Sequence, residues 1–357
     1  MTNEQELFLK KLIECPGPSN YEEHVQRIWR DEVKASGAEV RIDTHGNNIA
    51  TLKGSQNVSI LIVGHADEIG LIVKYISDSG FIYVAPVGGV DPNILPSHRI
   101  RILSSKTNGV INGVVGRTSV HLKEKGDDGK VKYSEVYIDI GTKSKEETEK
   151  LVAIGDVIIY GEDYQRLQGT RATARCFDNR IGLYIVAETL KALGARKDEL
   201  KATVYGVSSI QEETGLWAAG LAAYSCDPSM AIALDVMPCT DTPGISKELH
   251  GDTKVSGGPV IDKGIRTNRK MSQRLVEVAD ARAIPFQISV ENGHTHTDAD
   301  PISTIKGGIP IGVVSAPTRY LHSAIEVLDL VDLDQCVNLL SEFILSIDEN
   351  WDLRPGV

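Results

Sequence analysis

The sequence predicts a three-layer α/β protein in which a mostly parallel sheet lies between helices, with a small β-barrel inserted into the chain. Strand-like apolar runs alternate with helical segments in the first 70 residues and after residue 165, a pattern typical of a parallel sheet covered on both faces. Residues 71–164 instead contain short β-branched segments separated by turn residues, as in a small barrel or sandwich. We therefore expect one domain of residues 1–70 and 165–357 and a second of residues 71–164.

The first 70 residues contain two helices, a hairpin and a buried strand. Apolar residues have helical spacing at 4–14 and 21–36, and the breaker PGPSN separates these two stretches. Residues 40–54 predict a hairpin with the turn residues HGNN. The nearly continuous apolar run VSILIVG at 58–64 predicts a strand that is covered on both faces.

Six short segments predict the strands of the inserted barrel. They are GLIVKYI (70–76), FIYVAPV (81–87), HRIRILS (98–104), GVINGVVG (109–116), EVYIDIG (135–141) and GDVIIYG (155–161). The charged stretch KEKGDDGKVKY at 123–133 is expected to be a solvated loop between two of these strands.

Helices and strands alternate again after residue 171. The predicted helices lie near 180–194, 214–225, 266–282 and 331–348, and the predicted strands are ATVYGVSSI (202–210), MAIALDV (230–236), IPFQISV (284–290) and IPIGVVS (309–315). This order predicts parallel strands joined by helical crossovers.

The composition excludes several classes of function. A formal net charge of −11 over 357 residues argues against nucleic acid or an anionic membrane as the main partner. No apolar run approaches the ~20 residues of a membrane span, and the N-terminus lacks the long apolar core of a signal peptide. Five scattered cysteines without a CxxC pair favour a reducing cytoplasm over a disulfide framework or a thiolate zinc site.

Polar residues that could hold metal ions stand at or near the ends of the predicted strands. In an open α/β sheet, ligands bind beyond the carboxyl ends of the strands, so residues far apart in sequence converge there. The candidates are His65, Asp67, Asp178, Glu212, Glu213, Asp235 and His322. Their imidazole and carboxylate donors suit zinc, cobalt or manganese and are numerous enough for two metals that share a bridging carboxylate.

Such a site predicts hydrolysis of an amide. Paired metals lower the pKa of a bound water from ~16 towards ~7 and polarise the attacked carbonyl. A carboxylate outside the coordination shell then takes the proton and returns it to the leaving amine. The adjacent acids Glu212 and Glu213 can divide these jobs, one binding metal while its neighbour handles the proton. Asp67, two residues after His65, can hold that imidazole through its second nitrogen.

Each candidate also has an ordinary structural explanation. A histidine after a strand is more often structural than a ligand, a Glu pair in a turn is usually solvated, and Asp178 could cap the following helix. Asp235 carries more weight, because a carboxylate within an apolar strand is costly to bury unpaired. Taken together, the residues at the strand ends favour a metal site.

Two further polar stretches are explained better by structure than by chemistry. GHTHTDADP (293–301), with His294 and His296, fits no standard zinc spacing, so we favour a polar loop, with a loop bordering the substrate pocket as the alternative. GGVDPNILP (88–96) is rich in turn residues and is expected to be structural. The other histidines lack acidic partners at ligand spacing and are expected at the surface or in packing: His24, His45, His98, His121 and His250.

Seven stretches of the chain resemble, in order, motifs of the TET-type dinuclear metallo-aminopeptidases. This family includes glutamyl aminopeptidases, deblocking aminopeptidases and proteins once labelled cellulase M. The stretches are GHADEIGLIV, GGVDPNILP, EVYIDIG, CFDNRIG, QEETGLWAA, ALDV and PTRYLHSAIEV. The resemblance covers nearly the whole chain, including the inserted barrel.

The resemblance implies a ligand set for two metal ions, usually zinc or cobalt. His65 and Asp235 would bind one metal. Glu213 and His322 would bind the other, and Asp178 would bridge the two.

The resemblance also implies a reaction and an assembly. Glu212 would be the general base and acid, Asp67 would orient His65, and a hydroxide bridging the metals would release N-terminal residues from short peptides. The fold would be a phosphopeptidase-like α/β/α catalytic domain with the insertion as a dimerisation domain, and dimers often form a hollow tetrahedral dodecamer. Where NGHTHTDADP stands, members often carry a shorter, Gly-rich segment ending in TDA. This segment would border the active site, so the resemblance does not fix the side-chain preference, which would follow from the charge of the pocket.

Two other functions are compatible with the same residues. The site could deacylate or deblock N-acyl amino acids, because the chemistry at the amide is shared. The chain could also be a non-catalytic assembly subunit or a metal-binding regulator, although the intact ligand set with Glu212 argues against this. Glycoside hydrolysis fits least, because it normally uses two carboxylates and no metal pair.

Overall fold

The computed structural model describes residues 1–122, 130–354 and 356, so the loop predicted at 123–133 lies mostly outside the described residues. The helices in this part of the chain are α1 (Asn3–Glu14), α2 (Glu23–Val33), α3 (Lys145–Glu149), α4 (Phe177–Ala195), α5 (Ala218–Cys226), α6 (Lys247–His250), α7 (Arg269–Ala281), α8 (Ala299–Ser303) and α9 (Leu330–Leu345). None of these helices is both long and apolar enough to cross a bilayer.

The described residues contain seventeen strands. They are β1 (Glu39–Ile42), β2 (Asn48–Leu52), β3 (Ser59–His65), β4 (Gly70–Ile76), β5 (Ile82–Val87), β6 (Arg99–Ser104), β7 (Gly109–Gly116), β8 (Tyr137–Asp139), β9 (Val157–Tyr160), β10 (Gln165–Arg166), β11 (Arg171–Ala174), β12 (Thr203–Ser209), β13 (Met230–Pro238), β14 (Val260–Asp262), β15 (Gln287–Ser289), β16 (Ile311–Thr318) and β17 (Glu326–Asp329).

The large sheet has eight strands in the order β1-β2-β12-β3-β13-β16-β14-β15. Its four central strands, β12, β3, β13 and β16, run parallel, which confirms the predicted α/β class. The β1–β2 hairpin joins β12 in antiparallel fashion, and β14 joins β16 in the same way, so the sheet is mixed outside its centre. The sequence did not predict β14, because three residues are too few to show a periodic pattern.

Alternate residues of β3 pack against helices on opposite faces of the sheet. Ile60 and Ile62 pack into an apolar cluster with residues of α1, α2, α4 and α9, whereas Leu61 and Val63 pack into another with residues of α5 and α8. Successive side chains of a strand point to opposite faces, and all four of these are fully buried. The continuous apolar run therefore produces the three-layer arrangement.

Helix α4 packs closely against β3 because two glycines face each other. A Cβ added to Gly64 would lie 2.6 Å from the carbonyl carbon of Gly182. This close approach brings the beginning of α4, which contains Asp178, next to the carboxyl end of β3.

The inserted segment forms a closed six-stranded antiparallel barrel in the order β4-β5-β8-β7-β6-β9. Its strands run from Gly70 to Tyr160 and enclose a separate apolar cluster. The barrel is therefore confirmed, whereas the boundaries of the two domains remain a prediction. His98 of the barrel was expected to lack an acidic partner, yet its Nδ1 lies 3.1 Å from Oε1 of Glu162. The strands β10, β11 and β17 form a third, small sheet.

We expect the substitution Gly64→Ala to lower the free energy of unfolding by about 1–3 kcal/mol, the usual cost of overpacking a core. The new methyl group would push α4 away from the sheet, because backbone atoms cannot rotate aside as a side chain can. Urea unfolding followed by circular dichroism measures the change.

Gly307→Ala is the matched control, because a Cβ there would meet open space. Its free energy of unfolding should stay within about 0.5 kcal/mol of the wild type. Equal stability of the two variants would contradict the close packing of α4 on β3.

Candidate active site at the carboxyl ends of the central strands

The central strands carry the candidate residues to one edge of the sheet. His65 is the last residue of β3 and is in register with Ser209, the last residue of β12. The chain then turns, and Glu212 and Glu213 begin a short 3-10 turn. Asp235 lies in the neighbouring strand β13. Because parallel strands present their carboxyl ends to the same side, these side chains are brought close together.

The carboxylate of Asp178 lies between the two candidate histidines. Its Oδ1 is 3.2 Å from Nε2 of His65, and its Oδ2 is 3.2 Å from Nε2 of His322. The backbone N–H groups of Asp178 and His322 both donate to the buried carboxylate of Glu326, at 3.0 and 3.1 Å. Glu326 therefore fixes two of the candidate ligands relative to each other.

Two groups of three side chains have donor atoms close enough to share an ion. Donor atoms of His65, Asp178 and Asp235 lie within 4.8 Å of one another, and so do donor atoms of Asp178, Glu213 and His322. Asp178 belongs to both groups. The five residues expected to bind metal thus lie together in an arrangement that can hold divalent cations.

Asp67 contacts both the imidazole of His65 and the turn that carries the two glutamates. Its Oδ1 lies 3.3 Å from Nδ1 of His65, and its backbone carbonyl oxygen lies 3.2 Å from the same nitrogen; that Asp67 orients His65 for metal binding stays a prediction. The N–H groups of Glu212 and Glu213 donate to its two oxygens at 3.0 and 3.1 Å, and the Ser19 hydroxyl donates at 2.6 Å. The sequence did not indicate this second contact, because it depends on how the turn after β12 folds over β3.

The site has too little positive charge for its number of buried acids. Burial raises the pKa values of Glu212, Glu213 and Asp235, and neighbouring carboxylates raise them further. Burial alone would lower the pKa of His65, but nearby carboxylates, led by Glu212, raise it. Oε1 of Glu213 is buried without a hydrogen-bond partner. Cations bound among these acids would favour their ionised forms.

A cavity of about 500 Å³ opens over these residues, and the loop 293–301 forms part of its wall. Thr295 and His296 line the cavity, so the alternative expectation for this loop, that it borders the pocket, describes its position. Asp300 holds the loop by accepting the N–H groups of both residues at 3.1 and 3.2 Å, and it also contacts Nδ1 of the exposed His294 at 3.2 Å.

The barrel contributes backbone to the same cavity, although GGVDPNILP was expected to be only a structural turn. The carbonyl oxygen of Gly89 is 2.9 Å from Nδ1 of His322, and a Cβ at Gly89 would lie 2.7 Å from that nitrogen. A Cβ at Gly88 would lie 3.2 Å from the Cβ of Glu213. These two positions are therefore glycine because candidate ligands pack directly against their backbone.

Sequence reasoning missed three buried acids near the site, Glu68, Asp298 and Glu326. Glu68 accepts hydrogen bonds from Nε of Arg175 at 2.9 Å and from Nη2 of Arg180 at 3.0 Å, and both arginine side chains are fully buried. Asp298 accepts the Ser209 hydroxyl at 2.5 Å. Glu68 and Glu326 lie within the stretches GHADEIGLIV and PTRYLHSAIEV, next to apolar residues, which was the available signal for their burial.

Comparison with known proteins gives a family for this fold and site. Residues 46–339 match the model of the M42 glutamyl aminopeptidases. The lysyl aminopeptidase of Pyrococcus furiosus is 36% identical over 340 residues, which cover 93% of this chain and 94% of that protein. The TET aminopeptidase structure from Thaumarchaeota archaeon SCGC AB-539-E09 is 31% identical, with a TM-score of 0.92 and 98% of each chain covered. The Pyrococcus horikoshii TET1 peptidase is 32% identical, with a TM-score of 0.85 over 96% of this chain and all of that one.

These similarities define the protein as an aminopeptidase, a hydrolase that acts on the N-terminal peptide bond. The chain belongs to the M42 glutamyl aminopeptidase family, whose model matches well over half of its length. The resemblance to TET-type enzymes inferred from the seven motifs is confirmed. Membership of this family implies the use of divalent metal ions, and the two groups of donor side chains can bind them.

We expect Glu68→Gln to lower the free energy of unfolding by about 3–5 kcal/mol, because it leaves the buried Arg180 with backbone carbonyl acceptors only and leaves Arg175 with Asp163 as its remaining carboxylate. Arg175 and Arg180 cannot reach water to compensate. Urea unfolding of the purified protein measures the loss.

Glu6→Gln is the control for removing an ion pair near the surface. The bonds from Arg166 to Glu6 are 2.6 and 2.7 Å long but partly solvated, and breaking them should cost less than about 1 kcal/mol. Similar losses in the free energy of unfolding for the two variants would mean that burial does not determine how much the ion pairs of Glu68 stabilise the fold.

Proposed function

We propose that this chain removes N-terminal residues from short peptides with two divalent metal ions held by His65, Asp178, Glu213, Asp235 and His322. The position of Asp178 carries the proposal. One of its oxygens faces each histidine, and its carboxylate belongs to both groups of three donors. This is the position required of a carboxylate that two cations share.

The donor set fits such ions chemically. It consists of two imidazoles and three carboxylates, which suits zinc or cobalt, with manganese as a further possibility for the same donors. Nδ1 of His65 is occupied by Asp67, which leaves Nε2 directed towards the acids. Two divalent cations would offset the repulsion among the buried carboxylates and would give Oε1 of Glu213 a partner.

Glu212 is the residue that we propose to move the proton. Bound divalent ions would supply an acidified water and polarise the scissile carbonyl. Glu212 lines the cavity, and its Oε2 lies 3.7 Å from Nε2 of His65. It would accept the proton of the attacking water and deliver it to the nitrogen of the leaving amine. The carboxylate of Asp67 fixes the backbone at Glu212 by accepting the N–H group of that residue.

The cysteines support a cytoplasmic location. All five are free thiols in the structure, and four of them are buried. Proteins that keep their thiols unpaired are typical of reducing compartments. We therefore propose peptides of the cytoplasm as the substrate pool.

We expect Glu212→Gln to lower kcat by about 10²–10⁴-fold, the usual contribution of a positioned general base. The amide keeps the shape of the side chain but cannot accept the proton. Hydrolysis of aminoacyl p-nitroanilides gives kcat, and elemental analysis should still find two metal ions per subunit.

Two further substitutions separate proton transfer from metal binding. Glu213→Ala and His322→Ala should lose metal as well as activity, because each removes a donor from the second group. Glu277→Gln, exposed on α7, is the control and should keep both. Near wild-type turnover of Glu212→Gln would show that the base is a different residue.

We further propose that subunits pair through the inserted barrel and that the dimers form a closed shell. The Pyrococcus horikoshii TET1 peptidase can assemble into a tetrahedron or a large octahedral shell. The outer surface of the barrel exposes Val110 and Val114 on β7, each about half accessible. Exposed apolar side chains on one strand are suited to contact with a second copy.

The double substitution Val110→Glu with Val114→Glu should dissociate the dimer, because it would place four like charges in the contact. Size-exclusion chromatography with light scattering measures the mass. Ile265→Glu, at an exposed apolar residue outside the barrel, is the control and should keep the wild-type mass. A wild-type protein that elutes as a monomer would contradict the proposed assembly.

A further inference from the structure

The charge of the substrate cavity indicates which N-terminal residue fits it. The active-site cavity adjoins a second cavity of about 540 Å³, and Met237, Pro238 and Glu291 line both. A substrate side chain that leaves the active site in this direction would pass the apolar surfaces of Met237 and Pro238 and reach Glu291. The second cavity therefore has the position of a side-chain pocket.

The second cavity has a mixed lining in which Glu291 is the one carboxylate among the described residues; the other polar side chains are Thr240, His250, Thr253, Ser289 and Asn292. Ile245, Ile288 and Val290 form part of its wall. Among the described residues, no lysine or arginine lines either cavity. A long aliphatic stem would therefore find apolar contacts, and a cationic end would find the carboxylate of Glu291.

Glu291 is held rigidly by its backbone while its side chain is left available. Its N–H group donates to Oδ1 of Asp262 at 3.2 Å, and its carbonyl oxygen accepts the N–H of Ile265 at 2.9 Å. The side chain is half-buried, and among the described residues no lysine or arginine forms an ion pair with it. Burial and the nearby Asp262 raise the pKa of this carboxyl group, against a smaller opposing effect of His296.

We propose that the carboxylate of Glu291 binds the ammonium or guanidinium group of an N-terminal lysine or arginine, so that the enzyme prefers basic N-terminal residues. The inference rests on the proposed function, because it places the scissile bond at the candidate metal site. An N-terminal glutamate would bring a second carboxylate to Glu291, and the described lining offers histidines but no lysine or arginine to pair it. The preference therefore differs from the one in the family's descriptive name.

A panel of four p-nitroanilides tests the preference: lysine, arginine, glutamate and norleucine, the last an uncharged analogue of lysine. The wild type should show kcat/KM for lysine about 10–100-fold above that for norleucine, the usual worth of a hydrogen bond between charged groups. Glutamate should be the poorest substrate. A wild type that favours glutamate or norleucine over lysine would overturn the proposal.

Substitution of Glu291 assigns the preference to this residue. Glu291→Gln should reduce the lysine-to-norleucine ratio of kcat/KM by about 10–100-fold, and Glu291→Asp should restore part of it. Glu248→Gln removes an exposed acid from α6, outside both cavities, and should leave the ratio unchanged. An equal loss for lysine and norleucine in Glu291→Gln would mean that Glu291 binds the α-ammonium group, which would overturn the assignment.

A binding measurement keeps this test separate from the test of the proposed reaction. Calorimetry compares lysinol with norleucinol, amino alcohols that have no amide bond to cleave. Tighter binding of lysinol by about tenfold or more supports the proposal even if the proton-transfer role of Glu212 is wrong. Equal binding of the two amino alcohols overturns the preference while leaving the proposed hydrolysis intact.

Discussion

The carboxylate of Asp178 is the constraint on which the rest of the site depends. It stands between His65 and His322, which come from distant parts of the chain. Its position is fixed by the close approach of α4 to β3 at Gly64 and Gly182 and by the bond from its backbone to a buried glutamate. The side chain of Asn179 adds a bond to the backbone of β13 at 2.8 Å. A small shift of α4 would therefore move Asp178 away from both His65 and His322 at once.

The acids of the site are unfavourable neighbours for one another, and the surrounding structure keeps them in place. Two buried arginines form ion pairs with Glu68, the residue that follows Asp67. Asp67 instead accepts backbone N–H groups, so one carboxylate fixes the turn that carries Glu212 without adding another side-chain cation. Hydrogen bonds of this kind favour the charged form of a carboxylate. The folded structure thus holds several carboxylates close together with little positive charge among them, and bound divalent cations would reduce their repulsion.

Much of this architecture could be predicted from the sequence because it follows from periodicity and topology. The apolar run that became β3 identified a buried strand, and the rule for ligands at strand ends placed His65 in the site. The hydrogen-bond and ion-pair partners of a side chain could not be predicted where they come from distant parts of the sequence. Glu68 is adjacent to Asp67 in sequence but pairs with arginines that follow it by more than 100 residues. The proposed role of Glu291 likewise depends on its lining two adjoining cavities, a position that no local sequence pattern encodes.

The contact between Gly89 and His322 has a consequence for how this chain can vary. An inserted barrel with its own apolar interior could in principle be exchanged for another module or deleted. Here the backbone carbonyl oxygen of Gly89 lies 2.9 Å from Nδ1 of His322, a candidate metal ligand outside the barrel. The insertion is therefore part of the candidate site, and a replacement would have to supply an equivalent peptide group next to His322.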